Sequence, residues 1–109
     1  CAGALAALYE EMGGRTMYFG KPHPPIYDMA RRRMAEFGLT DDSRVLAVGD
    51  GINTDVAGAM GENLDVLFVS GGLAAEQFGA DVENPNPDLL RAWLDARQQD
   101  PRYTIGRLR

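Results

Sequence analysis

Apolar positions along this chain alternate between helical and strand spacing, and the switches mark out its elements. Leu5, Leu8 and Met12 recur at helical spacing within residues 3–12, and Gly13-Gly14 supplies the stop. Thr16-Met17-Tyr18-Phe19 is a short run of β type. A loop stiffened by Pro22, Pro24 and Pro25 follows. Pro24 and Pro25 suit the first positions of a helix, where the missing N–H costs nothing, so a helix is predicted from there to about Phe37. Its apolar stripe is Tyr27, Ala30, Met34 and Phe37, and Gly38 ends it.

Residues 44–48 are predicted as a strand, and the unbroken Val45-Leu46-Ala47-Val48 reads as buried on both faces, as in a parallel sheet. Asn53 or Thr54 then caps a helix running to about Gly61, with Asp55 in its first turn. Asp65-Val66-Leu67-Phe68-Val69 is a second buried strand, and Ser70-Gly71-Gly72 turns after it. Residues 74–78 form a short helix, and 80–84 a small strand or an extended loop. Asn86-Pro87-Asp88 caps a helix carrying Leu90, Trp93, Leu94 and Arg97; after Gln98 the tail is polar and receives no element. The alternation β-α-β-α-β-α predicts an α/β fold with a doubly wound parallel sheet.

Charge and composition narrow the function class. The 109 residues fit one small domain of ordinary apolar content. The net charge of −5 argues against a nucleic-acid surface or an acidic membrane, which would want clustered cations. The one basic run, Arg31-Arg32-Arg33, reads as a solvated helix face, with Asp28 spaced to pair with Arg32. A single cysteine, Cys1, excludes an intrachain disulfide and fits a cytoplasmic location. No apolar stretch approaches the ~18 residues of a membrane span. The chain opens without an initiator Met, so a longer protein is expected around it.

The chemistry concentrates after the predicted strand at 44–48. Asp50 follows an apolar strand between Gly49 and Gly51, which let the backbone approach a ligand closely. Ligands in open α/β sheets gather at the carboxyl ends of the strands. Mg²⁺ takes one or two carboxylates plus substrate phosphate, so Asp50 and Asp55 are the candidate metal residues, and Gly49 a candidate phosphate contact. Lys21, on a rigid Gly-Lys-Pro loop, is placed to neutralise charge on a phosphoryl group. Ser70, Gly71 and Gly72 lie at the same sheet edge. His23 reads as a loop residue, and Tyr27, Trp93 and the methionines as core.

Two segments carry a resemblance. Gly20-Lys21-Pro22-His23-Pro24-Pro25-Ile26-Tyr27 and the run from Val48-Gly49-Asp50-Gly51 through Asn53-Thr54-Asp55 to Ala59 resemble the third and fourth motifs of the haloacid dehalogenase (HAD) superfamily. The likeness is to the subclass with a large α/β cap, which includes p-nitrophenyl phosphatase-like and sugar-phosphatase-like enzymes. It implies a phosphatase that hydrolyses a small phosphomonoester through an aspartyl-phosphate. Lys21 would steady the nucleophile and the transferring phosphoryl group, Asp50 would ligate Mg²⁺, and Asp55 would support the metal site. Residues 1–14 would be the last helix of the cap domain and 15–109 the C-terminal half of the Rossmann-like core.

The chain departs from the family at its chemical centre. The family's nucleophile and its acid/base stand in an Asp-x-Asp-Gly motif on the first core strand, and no Asp-x-Asp occurs here. The first strand and most of the cap are missing, so the chain is expected to be inactive alone. The strand at 44–48 would then expose an apolar edge, which invites pairing with a second copy. The alternative is a non-enzymatic α/β fragment or binding module that self-associates. A phospho-acceptor receiver domain fits less well, because its lysine follows its acids, whereas Lys21 precedes Asp50.

Overall fold

In the computed structural model, which describes residues 2–14 and 20–109, three parallel strands lie in sequence order. β1 (Leu46–Gly49) pairs with β2 (Asp65–Val69), placing Ala47 beside Val66 and Gly49 beside Phe68. β2 pairs with β3 (Tyr103–Ile105), Phe68 lying beside Thr104. The chain is therefore α/β as predicted, with one unpredicted strand in the tail. The expected run at 16–19 lies outside the described residues.

One face of this sheet holds the core. Val66 and Phe68, two residues apart, point the same way and are buried with Val56, Ala59, Phe78, Leu90 and Leu94. These come from α3 (Ala57–Gly61) and the π-type turn Ile52–Val56 before it, a 3₁₀ turn at Ala75–Phe78, and α4 (Pro87–Ala96). Helix α4 forms as its cap predicts: the Asn86 side-chain Oδ1 accepts the N–H groups of Asp88 (3.0 Å) and Leu89 (3.1 Å). Residues 80–84 are a loop, held by the Asp81 carboxylate on Glu83 N–H and the Asn84 amide.

The other face corrects an expectation. Leu46 and Val48 are nearly half exposed, at 47% and 46%, so β1 is not buried on both sides. Its apolar run signals a covering layer that the described residues do not supply.

The N-terminal helices are equally open. α1 (Ala2–Glu11) forms close to its predicted bounds, with Leu5, Leu8 and Met12 of its apolar stripe all exposed. α2 (Pro24–Ala35) starts at its prolines but ends two residues before Phe37. Gly38, at φ +79°, takes the left-handed conformation after it. Its stripe is not core: Tyr27 and Met34 are half-buried, while Ala30 and Phe37 are exposed. Met12, Met29 and Met60 are exposed too, against the reading of the methionines as core.

The basic run is also not uniformly solvated. Arg31 is half-buried and donates from Nη1 to the Glu62 carboxylate, and from Nη2 to the Glu62 carbonyl (3.2 Å). Its Nη2 also pairs with Asp42 at 3.2 Å. Asp28 lies 3.9 Å from Arg31 and not on Arg32, whose Nε reaches only the Asp28 carbonyl. A planar five-donor guanidinium can serve several oxygens at once, so Arg31 fastens α2 to the end of α3.

Candidate active site

The turn after β1 is built around Asp55. Its Oδ2 accepts the backbone N–H groups of Asp50 (3.1 Å) and Gly51 (3.0 Å), and its Oδ1 takes the ammonium of Lys21. The carboxylate thus caps its own helical turn by reaching back to the N-cap, Gly51. Neither Asn53 nor Thr54 caps it, contrary to expectation. Asp55 is buried. Gly49 is required by this packing, since a Cβ there would stand 2.2 Å from the Asp55 Cγ.

These contacts set the electrostatics. Burial pushes the Asp55 carboxyl up, but the Lys21 ammonium and the two N–H groups outweigh it and hold the group below the ordinary carboxylate range. The hydrogen bond to Asp55 raises Lys21 above the usual lysine value, with burial opposing. Burial also raises the Tyr27 phenol, with Lys21 opposing, and the Tyr27 hydroxyl lies against Gly58.

The signs give a pH dependence. The lowered Asp55 contributes stability that is present above about pH 4 and lost as pH falls through its folded value. The raised Lys21 contributes stability that is present below about pH 10.5 and lost as pH rises through its own folded value. Lys21→Met is therefore expected to unfold at lower temperature than wild type between these limits, with the gap closing at both ends. Thermal unfolding across pH checks this; a gap constant from pH 3 to 11 would sink it.

Asp50 points the other way, toward the turn after β2. Its Oδ2 accepts the Leu73 N–H at 3.0 Å, and a Cβ on Gly72 would stand 2.2 Å from that oxygen. Of the three turn residues, Gly72 lies against Asp50. Ser70 is buried, and its N–H donates to the Ile105 carbonyl (2.9 Å). Gly71 N–H donates to the Gly106 carbonyl (2.8 Å), so both residues join β2 to β3. His23 stands at the N-cap of α2, its N–H donating to the Gly20 carbonyl.

Lys21, Gly49, Asp50 and Asp55 are therefore gathered at the carboxyl end of β1 from positions up to 34 residues apart. Beyond Asp50 opens a cavity of about 340 Å³, which sequence reasoning did not anticipate. Thr54, Leu73, Gln77, Trp93 and Arg97 help line it. A larger depression of about 690 Å³ lies between residues 78–87 and β3, away from these groups. Trp93 is only partly buried, stacked on Phe68 and covered by Arg97, and so borders the site as well as the core.

Among the described residues no three His, Cys, Asp or Glu side chains cluster as a complete metal site. The donor set still fits a cation that needs few protein ligands. A carboxylate has about four lone-pair positions, and the Leu73 N–H occupies one on Asp50. Asp55 has both oxygens engaged, which suits an outer, orienting role. Mg²⁺ is the divalent ion content with one or two carboxylates, substrate phosphate and water.

Comparison with known proteins bears on the family and the fold. The profile of the HAD-hydrolase-like family matches residues 18–102. A haloacid dehalogenase-like hydrolase from Brucella suis 1330 aligns over 100% of this chain and 37% of its own, at 40% identity and TM-score 0.67. A p-nitrophenyl phosphatase from Archaeoglobus fulgidus aligns over 91% of this chain and 33% of its own, at 22% identity and TM-score 0.60, a likeness of fold. A thermostable NPPase double mutant from Geobacillus stearothermophilus aligns over 77% and 32%, at 26% identity and TM-score 0.58. The chain thus spans about a third of the length of these proteins. No curated protein matches it.

Proposed function

The chain belongs to the HAD-like hydrolase family, and from that premise we propose that it is the C-terminal part of a Mg²⁺-dependent phosphatase for a small phosphomonoester. Residues 1–14 would then close a cap domain and 15–109 form the second half of the core. The observation that carries this reading is the Lys21–Asp55 pair beside Asp50 at the carboxyl end of β1.

Each residue has a distinct task. Asp50 would ligate Mg²⁺, with Asp55 behind it. The cation would supply charge stabilisation on the phosphoryl oxygens. Asp55 holds the N–H groups of Asp50 and Gly51 and so fixes the loop that carries Asp50. It also holds the ammonium of Lys21, whose side chain remains half exposed toward an incoming phosphoryl group. Gly49, with no side chain, lets the Asp55 carboxylate pack against the end of β1. The nucleophile would be an aspartate on a segment upstream of this chain. Its carboxylate oxygen would bond to phosphorus as the ester P–O bond breaks, and water would then hydrolyse the aspartyl-phosphate.

Without that aspartate the 109 residues would be inactive. The uncovered Leu46 and Val48 favour self-association through β1 in place of the missing strand. A cytoplasmic location suits the phosphorylated-metabolite substrate; no helix among the described residues is long and apolar enough to cross a membrane.

Hydrolysis of p-nitrophenyl phosphate with and without Mg²⁺ tests the reading. The 109-residue chain is expected to show none. A form extended by its upstream coding sequence is expected to show Mg²⁺-dependent turnover, reduced about a hundredfold by Lys21→Ala. An extended form that carries an Asp-x-Asp-Gly motif yet hydrolyses no phosphomonoester would overturn the proposal.

A further inference from the structure

The cavity beside Asp50 has a second charged wall. Arg97, at the C-cap of α4, lies with its Cζ 4.0 Å from the centroid of the Trp93 ring and donates from Nη1 to the Trp93 carbonyl (3.1 Å). Trp93 is itself fixed: Phe68 stacks on it at 5.9 Å and Phe78 meets its edge at 5.2 Å. The guanidinium therefore rests on a rigid aromatic shelf. Its described partners are the Trp93 ring and carbonyl, and no carboxylate among the described residues ion-pairs with it. Arg31, Arg33, Arg91, Arg102 and Arg107 are paired to acids, whereas Arg97 is held by an aromatic ring and a carbonyl at the wall of a cavity. The Trp93 Nε1–H is buried and lacks an acceptor among the described residues, although a buried indole N–H ordinarily finds one.

We propose that the cavity between the Asp50 loop and α4 is an oxyanion-binding site, with Arg97 as its charged contact. A guanidinium whose planar donors are held by stacking loses little freedom on binding and matches a carboxylate or phosphate group bidentately. Gln77 also lines the cavity. Asp50 is the opposing charge in the cavity, so an anion enters once that carboxylate is neutralised. Assigning the oxyanion to the substrate's second anionic group rests on the phosphatase reading above; the site itself does not.

Trp93 is the only tryptophan in the chain, so its emission reports on the cavity without any turnover. The 109-residue Asp50→Asn chain, which needs no cation to remove the opposing charge, is titrated with inorganic phosphate. A saturable change in Trp93 emission is expected, with its midpoint raised at least about tenfold by adding Arg97→Gln and less by Arg97→Lys. Arg97→Lys keeps the cation and the stem, and near-ultraviolet circular dichroism verifies that both variants retain the packed indole. Absence of a saturable change, or an unaltered midpoint in folded Arg97→Gln, would overturn the proposal. Glycerol phosphate and phosphoglycerate are then compared. An approximately tenfold lower midpoint for phosphoglycerate supports the site as the seat of a substrate's second oxyanion. Equal midpoints support it as a seat for the phosphate group itself. Loss of p-nitrophenyl phosphate hydrolysis in the extended form would remove the phosphatase reading and leave these titrations standing.

Discussion

Asp50→Asn is expected to lower Mg²⁺-dependent phosphomonoester hydrolysis about a thousandfold in the upstream-extended protein, while leaving its thermal stability close to wild type. The substitution keeps the shape of the side chain. Its amide oxygen can still accept the Leu73 N–H that Asp50 accepts at 3.0 Å, and it stays packed against Gly72. What it removes is the negative charge that would hold the cation, and the cation's charge stabilisation of the phosphoryl oxygens goes with it. Asp55→Asn behaves differently on the same geometry. Both Asp55 oxygens are in use, one on Lys21 and one on the N–H groups of Asp50 and Gly51. That substitution breaks an ion pair inside a buried turn, so it loses stability as well as activity. The check is kcat/KM against Mg²⁺ concentration, with thermal unfolding alongside. Asp50→Asn that turns over at the wild-type rate would remove Asp50 from the metal role.

This division of labour between two acids five positions apart was only partly legible in the sequence. The apolar run before Gly49-Asp50 announces a strand ending in a ligand-facing loop, and Lys21 on its proline-stiffened loop announces a fixed cation. A sequence does not show that Asp55 reaches back to the N–H groups ahead of it. Asn53 and Thr54 suit a cap by residue type and stand ahead of Asp55, yet the turn opens as a π-type turn from Gly51 in which the buried carboxylate serves instead. The Arg97–Trp93 shelf escaped notice because a Trp and an Arg at helical spacing look like core and solvent edge. β3 was missed for the same kind of reason. Tyr103-Thr104-Ile105, between Pro101 and Gly106, is too short to carry a period, although its residue types favour a strand. The run at 45–48 has the composition of a strand buried on both faces because it encodes a covering layer that the described residues do not supply.

Phe68→Ala is expected to unfold the chain or lower its melting temperature by at least about 12 °C, the largest stability loss of any single truncation here. Phe68 is fully buried in the middle strand. Its ring stacks on Trp93 with an interplanar angle of 12° and meets Phe78 edge-on at 6.3 Å. Truncating a buried Phe costs about 3–5 kcal/mol, the lost transfer energy plus the cavity left behind. For a domain of this size each kcal/mol moves the midpoint by roughly 4 °C or more. A native domain has only about 5–15 kcal/mol in total. This one stands at the low end, because its sheet is covered on one face while Leu46 and Val48 face water on the other. Val48→Ala, beside Leu67 on the neighbouring strand and 46% exposed, is accordingly expected to move the midpoint little. The contrast matters for the site. Asp50 and Gly72 touch only because β1 and β2 keep their register, and Gly49, immediately before Asp50, lies beside Phe68 in it. Thermal unfolding followed by Trp93 emission measures both variants. Equal losses in the two would mean that the packed side of the sheet is not the side of Phe68, and the positions of Asp50 and Arg97 derived from it would fall together.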